Sequence, residues 1–256
     1  MPLGTDGLTA ALLGPLLRGD GHRPRLTTYS GGFRTELSTA SLANWSAKVA
    51  GLLLDELGCR SGDLVFVGVG AGWQCAPILL GSWWAGLTVT DLDLPEASAA
   101  FVPDGADPAL GVSDEVFVVS GHPLGAPSRA VAPHQRDFTT AVLPQADRFS
   151  PRSRVGADAA ALRTAEGDVS VSDLLALAEA AGLAPGARLF STLPWTLPGG
   201  VAGTLLAALA VDGSLVHSDS AGQVLLDQVL AEKATATAGF DAPGLPRPVD
   251  SVPSEG

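Results

Sequence analysis

The stretch Gly68-Val69-Gly70-Ala71-Gly72 is the string in this sequence that comes nearest to a known chemical device. It follows an apolar run and precedes a helical one, and Asp91 and Asp93 stand about where a dinucleotide site places its ribose-binding acid. The third glycine of such a fingerprint would fall at position 73, where close helix–strand packing requires it, and that residue is Trp73. A serine nucleophile elbow needs a G-x-S-x-G string, and Gly111-Val112-Ser113-Asp114-Glu115 stops short of one. His22, His122, His134 and His217 are scattered, which favours isolated surface or turn histidines, and neither they nor Cys59 and Cys75 stand at metal-ligand spacing. The carboxylate pairs Asp104 with Asp107 and Asp114 with Glu115 suit solvated loops of an acidic chain better than acid/base dyads. The expectation is a chain with no catalytic residue, metal site or cofactor of its own.

The elements that would position any site follow from hydropathy. The spacing predicts a helix over 9–18, then strands over 25–29 and 34–37 joined at Gly31-Gly32 as a hairpin. Ser38 caps a helix reaching about 57, with Leu42, Trp45, Val49, Leu52, Leu53 and Leu57 on one face. Strands over 64–69, 87–90, 99–102 and 116–120 come next, with a helix over 74–85. That helix carries Ile78, Leu79, Leu80, Trp83 and Trp84 and is apolar nearly all round, so its tryptophans belong to the core. An irregular, Pro-rich excursion over 121–156 has only a short helical stretch near 136–142. Alternation then resumes, with strands over 159–162, 188–191, 214–217 and 235–238 and helices over 173–181, 201–210 and 223–231. Such a pattern implies an α/β fold: a mainly parallel sheet with helices on both faces and an N-terminal β-hairpin. Residues 1–240 read as a single α/β domain, with sub-lobes at about 1–120 and 157–240, and 241–256 as a loose Pro-, Ser- and Gly-rich tail.

Composition narrows the partners. The 256 residues are 46% hydrophobic, enough to bury one substantial core. Fifteen Lys and Arg against 27 Asp and Glu leave a formal net charge of −12, which repels nucleic-acid phosphates and anionic lipid. No apolar run reaches membrane-spanning length, and the first residues lack a basic leader region, so the chain reads as cytoplasmic, with no nucleic-acid or membrane partner.

Three stretches resemble the front half of the large domain of adenylate-forming enzymes, the acyl-CoA synthetase and AMP-binding family. The run from Leu37 to Gly62-Asp63-Leu64-Val65 is similar to the family's opening helix and the strand after it. The stretch from Trp73 to Val89, with its Ala85-Gly86 turn, is similar to the next helix and strand. Leu193-Pro194-Trp195 through Gly199-Gly200 to Gly213-Ser214-Leu215-Val216 resembles the element whose loop borders the acyl-substrate pocket. The likeness covers residues from about 25 to 240 and fits a truncated subgroup of the family. It implies a candidate ligand pocket at Trp195, Thr196, Pro198, Gly199 and Gly200, where glycines allow close approach and the indole supplies apolar area. The same residues equally suit a structural role, the glycines starting a helix and Trp195 packing in the core.

The departures bear most on function. Where the family places a Ser/Thr/Gly-rich loop ending in Pro-Lys-Gly to hold ATP phosphates, this chain reads Thr164-Ala165-Glu166-Gly167-Asp168-Val169-Ser170-Val171-Ser172-Asp173. Thr164, Glu166, Gly167, Asp168 and Ser170 thus mark a degenerate phosphate-loop position without a lysine, whose acids would repel a triphosphate. Ser170 with Asp173 instead fits a capping box. The family's ribose-binding acid, adenine-contacting motif and C-terminal lid are also expected to be missing. Three readings follow: a non-catalytic relative binding a small apolar or acyl ligand or a protein, a ligase or nucleotide-dependent enzyme completed by another subunit, and a structural or assembly protein whose apolar surface a second copy covers.

Overall fold

The computed structural model describes residues 7–107, 109–110 and 113–248. Gly111 and Val112, the first six residues, and the part of the expected tail beyond 248 lie outside the described residues. The chain opens with helix α1 (Gly7–Arg18) and the hairpin β1 (Pro24–Ser30) and β2 (Phe33–Ser38). Helix α2 (Thr39–Gly51) runs on into a π-helical turn, Leu52–Glu56, and begins where expected, the Ser38 hydroxyl accepting from Ser41 N–H at 3.2 Å. Next come β3 (Leu64–Val67), α3 (Cys75–Trp84), β4 (Thr88–Thr90), β5 (Ala99–Pro103), β6 (Val116–Val119), β7 (Gln135–Asp137) and α4 (Phe138–Val142). The second half holds β8 (Ala160–Thr164), β9 (Gly167–Ser170), α5 (Val171–Ala180) and β10 (Arg188–Ser191), then α6 (Gly199–Val201), a π-helical turn Ala202–Leu206 and α7 (Ala207–Ala210). The last elements are β11 (Ser214–Ser218), α8 (Gly222–Ala231) and β12 (Ala236–Ala238).

The α/β fold with mainly parallel pairing and an N-terminal hairpin is as the sequence implies, but the strands form two sheets. One has the order β12-β10-β11-β1-β2 and the other β7-β6-β5-β3-β4-β8-β9. Pairing is parallel except in the hairpins β1–β2 and β8–β9. Alternation along the strands shows how the sheets stack, because successive side chains take opposite faces. Leu26, Leu189 and Leu215 from the first sheet share one core with Val65, Val67, Phe101 and Phe117 from the second, together with the buried faces of α1, α2, α3, α5 and α7. These helices therefore fill the space between the sheets. On the far face of the first sheet Phe190 and Val216 pack under Leu225 and Val229 of α8. On the far face of the second, Phe66, Ala100, Val102, Val116 and Val118 are covered by Ala97, Ala106, Leu110 and Val131, which lie on non-helical segments.

Both sheets draw strands from either side of the 121–156 excursion, so the sub-lobes read from the sequence do not correspond to the sheets. Residues 241–248 also differ from a loose tail. Thr237 N–H donates to Pro246 O at 3.0 Å, and Ala242 and Leu245 pack against the α8 cluster. The middle layer is tight. At Gly81 of α3 an added Cβ would lie 2.6 Å from both Ser46 O and Val49 Cβ, so this glycine is where α2 and α3 touch backbone to backbone. Trp83 is core as expected, its indole N–H donating to Ala161 O at 2.8 Å, while Trp84 is half-buried edge-on to Phe149.

Candidate functional site

The carboxyl ends of parallel strands are where α/β sheets offer crevices to ligands, and three such ends converge in the first sheet. The 192–200 loop leaves β10, His217 lies near the end of β11, and Gly239 follows β12, an added Cβ there falling 2.6 Å from Thr192 Oγ1. Within this loop Trp195 is only 8% exposed and packs edge-on to His217, with ring centroids 5.9 Å apart and planes at 62°. Among the described residues neither the Trp195 Nε1–H nor His217 Nδ1 has a hydrogen-bond partner, although both atoms are buried. A buried polar atom left unpaired costs about 1–3 kcal/mol; Gln74, Thr139 and Thr237 also carry such atoms, and here the two sit on rings that pack against each other. Burial pushes the His217 imidazole down to about 4, against the opposing field of Asp219, so the ring is neutral at physiological pH.

The other candidate pocket residues are placed less uniformly. Thr196 is exposed, and Pro198 and Gly199 are half-buried at the start of α6. Gly200 has its bare α-carbon against the chain's own backbone: a Cβ would overlap the Pro194 carbonyl and lie 2.8 Å from Thr196 Oγ1. Its lack of a side chain serves loop closure. His217 was the residue that sequence reasoning missed. His22, His122 and His134 are exposed, as scattered histidines should be, but the strand around 214–217 carries His217 beneath Trp195. Its place at the end of a buried parallel strand was the available signal.

The stretch 164–170, expected from the resemblance to stand at the phosphate-loop position, forms a closed hairpin in the second sheet. Thr164 pairs with Gly167, leaving Ala165 and Glu166 as a two-residue turn. The turn is satisfied internally: Thr164 Oγ1 donates to Gly167 O at 3.0 Å and accepts from Glu166 N–H at 3.2 Å. Asp168 is paired across the hairpin with Arg163, Nε to Oδ1 at 2.9 Å, and this bond holds its carboxyl below the usual range. The expectation of two uncompensated acids is corrected in part, since Arg163 neutralises Asp168 and Glu166 alone remains. Ser170 caps α5, its hydroxyl accepting from Asp173 N–H at 3.1 Å and donating to Asp173 Oδ2 at 2.6 Å. Backbone amides of a two-residue turn cannot wrap a triphosphate, and the residues present do not fit one.

Elsewhere the chemistry is structural. Trp73, where a dinucleotide fingerprint needs glycine, is buried edge-on to Trp45 at 5.2 Å and donates to His122 O at 3.1 Å. Burial raises the Cys75 thiol to about 12 and, with Asp63, the Cys59 thiol to about 11, which disfavours the thiolate at both. Among the described residues no three His, Cys, Asp or Glu side chains gather to hold a metal ion, and no helix is long and apolar enough to cross a membrane. A cleft of about 430 Å³ lies at the amino ends of the first sheet between α1 and α7, bordered by Arg23, Arg25 and Asp212. Its charged end is a latch: Arg25 is 2% exposed and donates to Thr39 Oγ1, to the carbonyls of Asp212 and Gly213, and to Asp212 Oδ1. A second cluster, unseen in the sequence, surrounds Glu232 at the end of α8. The Tyr29 hydroxyl donates to it at 2.6 Å, Arg34 Nε at 2.7 Å, and Arg188 completes the set.

The whole arrangement, two sheets around a helical layer, is the fold of adenylate-forming acyl-CoA ligases. The chain is similar to a Brucella canis acyl-CoA synthetase (TM-score 0.76, 17% identity, 93% of this chain and 48% of that one). It is likewise similar to the anthranilate CoA ligase AuaEII, solved with anthranoyl-AMP (TM-score 0.74, 16% identity, 92% and 50%). A benzoate CoA ligase from Burkholderia xenovorans LB400 matches at TM-score 0.70 and 16% identity, over 93% and 53%. The chain thus spans about half the length of these ligases. No protein-family model matches it. It is 35% identical over 237 residues to the TIGR03089 family protein of Mycobacterium tuberculosis (strain ATCC 25618 / H37Rv), covering 89% of this chain and 96% of that one. The chain belongs to the TIGR03089 family.

Proposed function

We propose that this protein is a non-catalytic relative of the acyl-CoA ligases that binds a small acyl-type ligand at the carboxyl ends of β10, β11 and β12. The observation that carries this reading is the pair of buried, unpartnered polar atoms, Trp195 Nε1 and His217 Nδ1, in one apolar site. A ligand entering under the 192–200 loop supplies the missing partner and exchanges water for the apolar faces around Trp195, which is how small-molecule sites gain affinity. The closed hairpin at 164–170 supports the absence of nucleotide chemistry, since adenylation depends on positioned groups that neutralise phosphate charge. On this reading the protein needs no cofactor. Two free cysteines fit a cytoplasmic setting.

Calorimetry tests it. Titration of the full chain with fatty acyl and aryl compounds should give saturable heats that Trp195→Ala abolishes, while ATP at millimolar concentration gives none. Flat acyl titrations, or pyrophosphate exchange by the isolated protein, would refute it. Exchange seen only after a second subunit is added would favour a ligase completed by a partner.

A further inference from the structure

Resting on that reading of the site, the geometry points to the chemical class of its ligand: we infer that the Trp195–His217 site takes an uncharged carbonyl compound, an amide, ester or thioester, and rejects the ionised carboxylate. The argument is one of charge. The unpartnered groups are an indole N–H and an imidazole nitrogen, and neither carries a formal charge at neutral pH. Among the described residues the charged group whose field reaches the imidazole is Asp219, an anion on the loop after β11. Its carboxylate accepts from Gly31 N–H at 3.1 Å, which fixes it in place. The loop on the other side, 192–200, carries no Lys, Arg, Asp, Glu or His. A carboxylate buried here would meet the same neutral donors as a carbonyl but no counter-charge, with a like charge nearby, and an ionised group removed from water without a counter-charge protonates or stays out. A neutral carbonyl oxygen costs far less to bury. It accepts from Trp195 Nε1–H, and from His217 Nδ1 when that nitrogen carries the ring proton.

The test uses matched pairs that differ only in head group: octanamide with octanoate, and benzamide with benzoate, titrated into the full chain at about pH 8 and about pH 5. Burial holds the His217 imidazole low, at about 4, and the amides, which do not titrate, register any change in the protein, so a pH effect confined to the acids reports the ligand. The amides should bind equally at both pH values. The acids should bind at least about tenfold more weakly at the higher pH and recover as their carboxyls protonate. Trp195→Phe, which keeps an aromatic ring and loses the N–H, should weaken amide binding by about fivefold or more with an unchanged near-ultraviolet spectrum outside the indole band. An acid binding at pH 8 as tightly as its amide overturns the inference and leaves acyl binding standing. If neither member of either pair binds, the acyl reading of the site falls as well.

Discussion

Glu232 shows how one side chain can hold distant parts of this fold together. Its carboxylate is 9% exposed at residue level and takes donors from Tyr29 on β1, Arg34 on β2 and Arg188 on β10, so α8 is tied to three strands. Although burial opposes the charge, the hydrogen bonds from Arg34, Tyr29 and Arg188 together hold this carboxyl down at about 2. A carboxyl depressed in the folded state contributes stability that is complete above its ordinary value of 4.5 and fades as pH falls toward 2. Glu232→Gln should therefore cost about 2 kcal/mol near neutral pH, since it leaves arginines without a counter-charge, and the gap from wild type should close near pH 2 in urea titrations. At Gly200 the argument is steric. Gly200→Ala forces a methyl group into the Pro194 carbonyl, so it should destabilise by about 1–3 kcal/mol and shift Trp195 fluorescence. If the spectrum and urea midpoint are unchanged, the close approach of Gly200 to the Pro194 carbonyl does not hold the 192–200 loop in place.

Between elements, the β8–β9 hairpin separates two reasons why the stretch 164–170 would not hold a triphosphate. If charge alone excludes a triphosphate, Glu166→Lys with Asp168→Lys should create measurable ATP binding. The two-residue turn at Ala165-Glu166 argues for backbone length instead, so the double variant should still give no heat with ATP by calorimetry. Local sequence signals announced much at this scale. Ser38 and Ser170 cap the helices they were expected to cap, and the apolar run through Trp83 lies inside. Short or long-range features were harder to read. β7 and β9 are too short to show a period, and β9 was hidden in a segment read as a loop, although Thr-Ala-Glu-Gly between polar and apolar residues is a turn signal. The split into two sheets depends on Tyr29 meeting Ser218 and Val89 meeting Leu162, pairings that no local window contains. Of the proposed site, Trp195 stood in a string the sequence singles out, whereas the contact of His217 with it needed the strand to bring the two rings together.

For the molecule as a whole, the interleaving of strands makes the halves interdependent. The first sheet needs β1 and β2 from the beginning and β10 to β12 from the end, and one core runs through both sheets. Separate chains of residues 1–120 and 157–240 should each be unfolded by circular dichroism and should regain native signal, if at all, only when mixed. A folded 157–240 fragment would contradict the shared core. The four outer strands of the two sheets also differ in a way that matters for solubility. β2 carries Arg34 and Glu36, β7 carries Arg136 and Asp137, and β9 carries Asp168, charges that discourage another chain from adding a strand. β12 is Ala236-Thr237-Ala238 and has no such guard, yet its outward Thr237 N–H is taken up by Pro246. The return of the chain past Phe240 is thus a selvedge sewn over a raw border, and clipping it there should leave a protein that sticks to itself more than the full chain does, as light scattering would register.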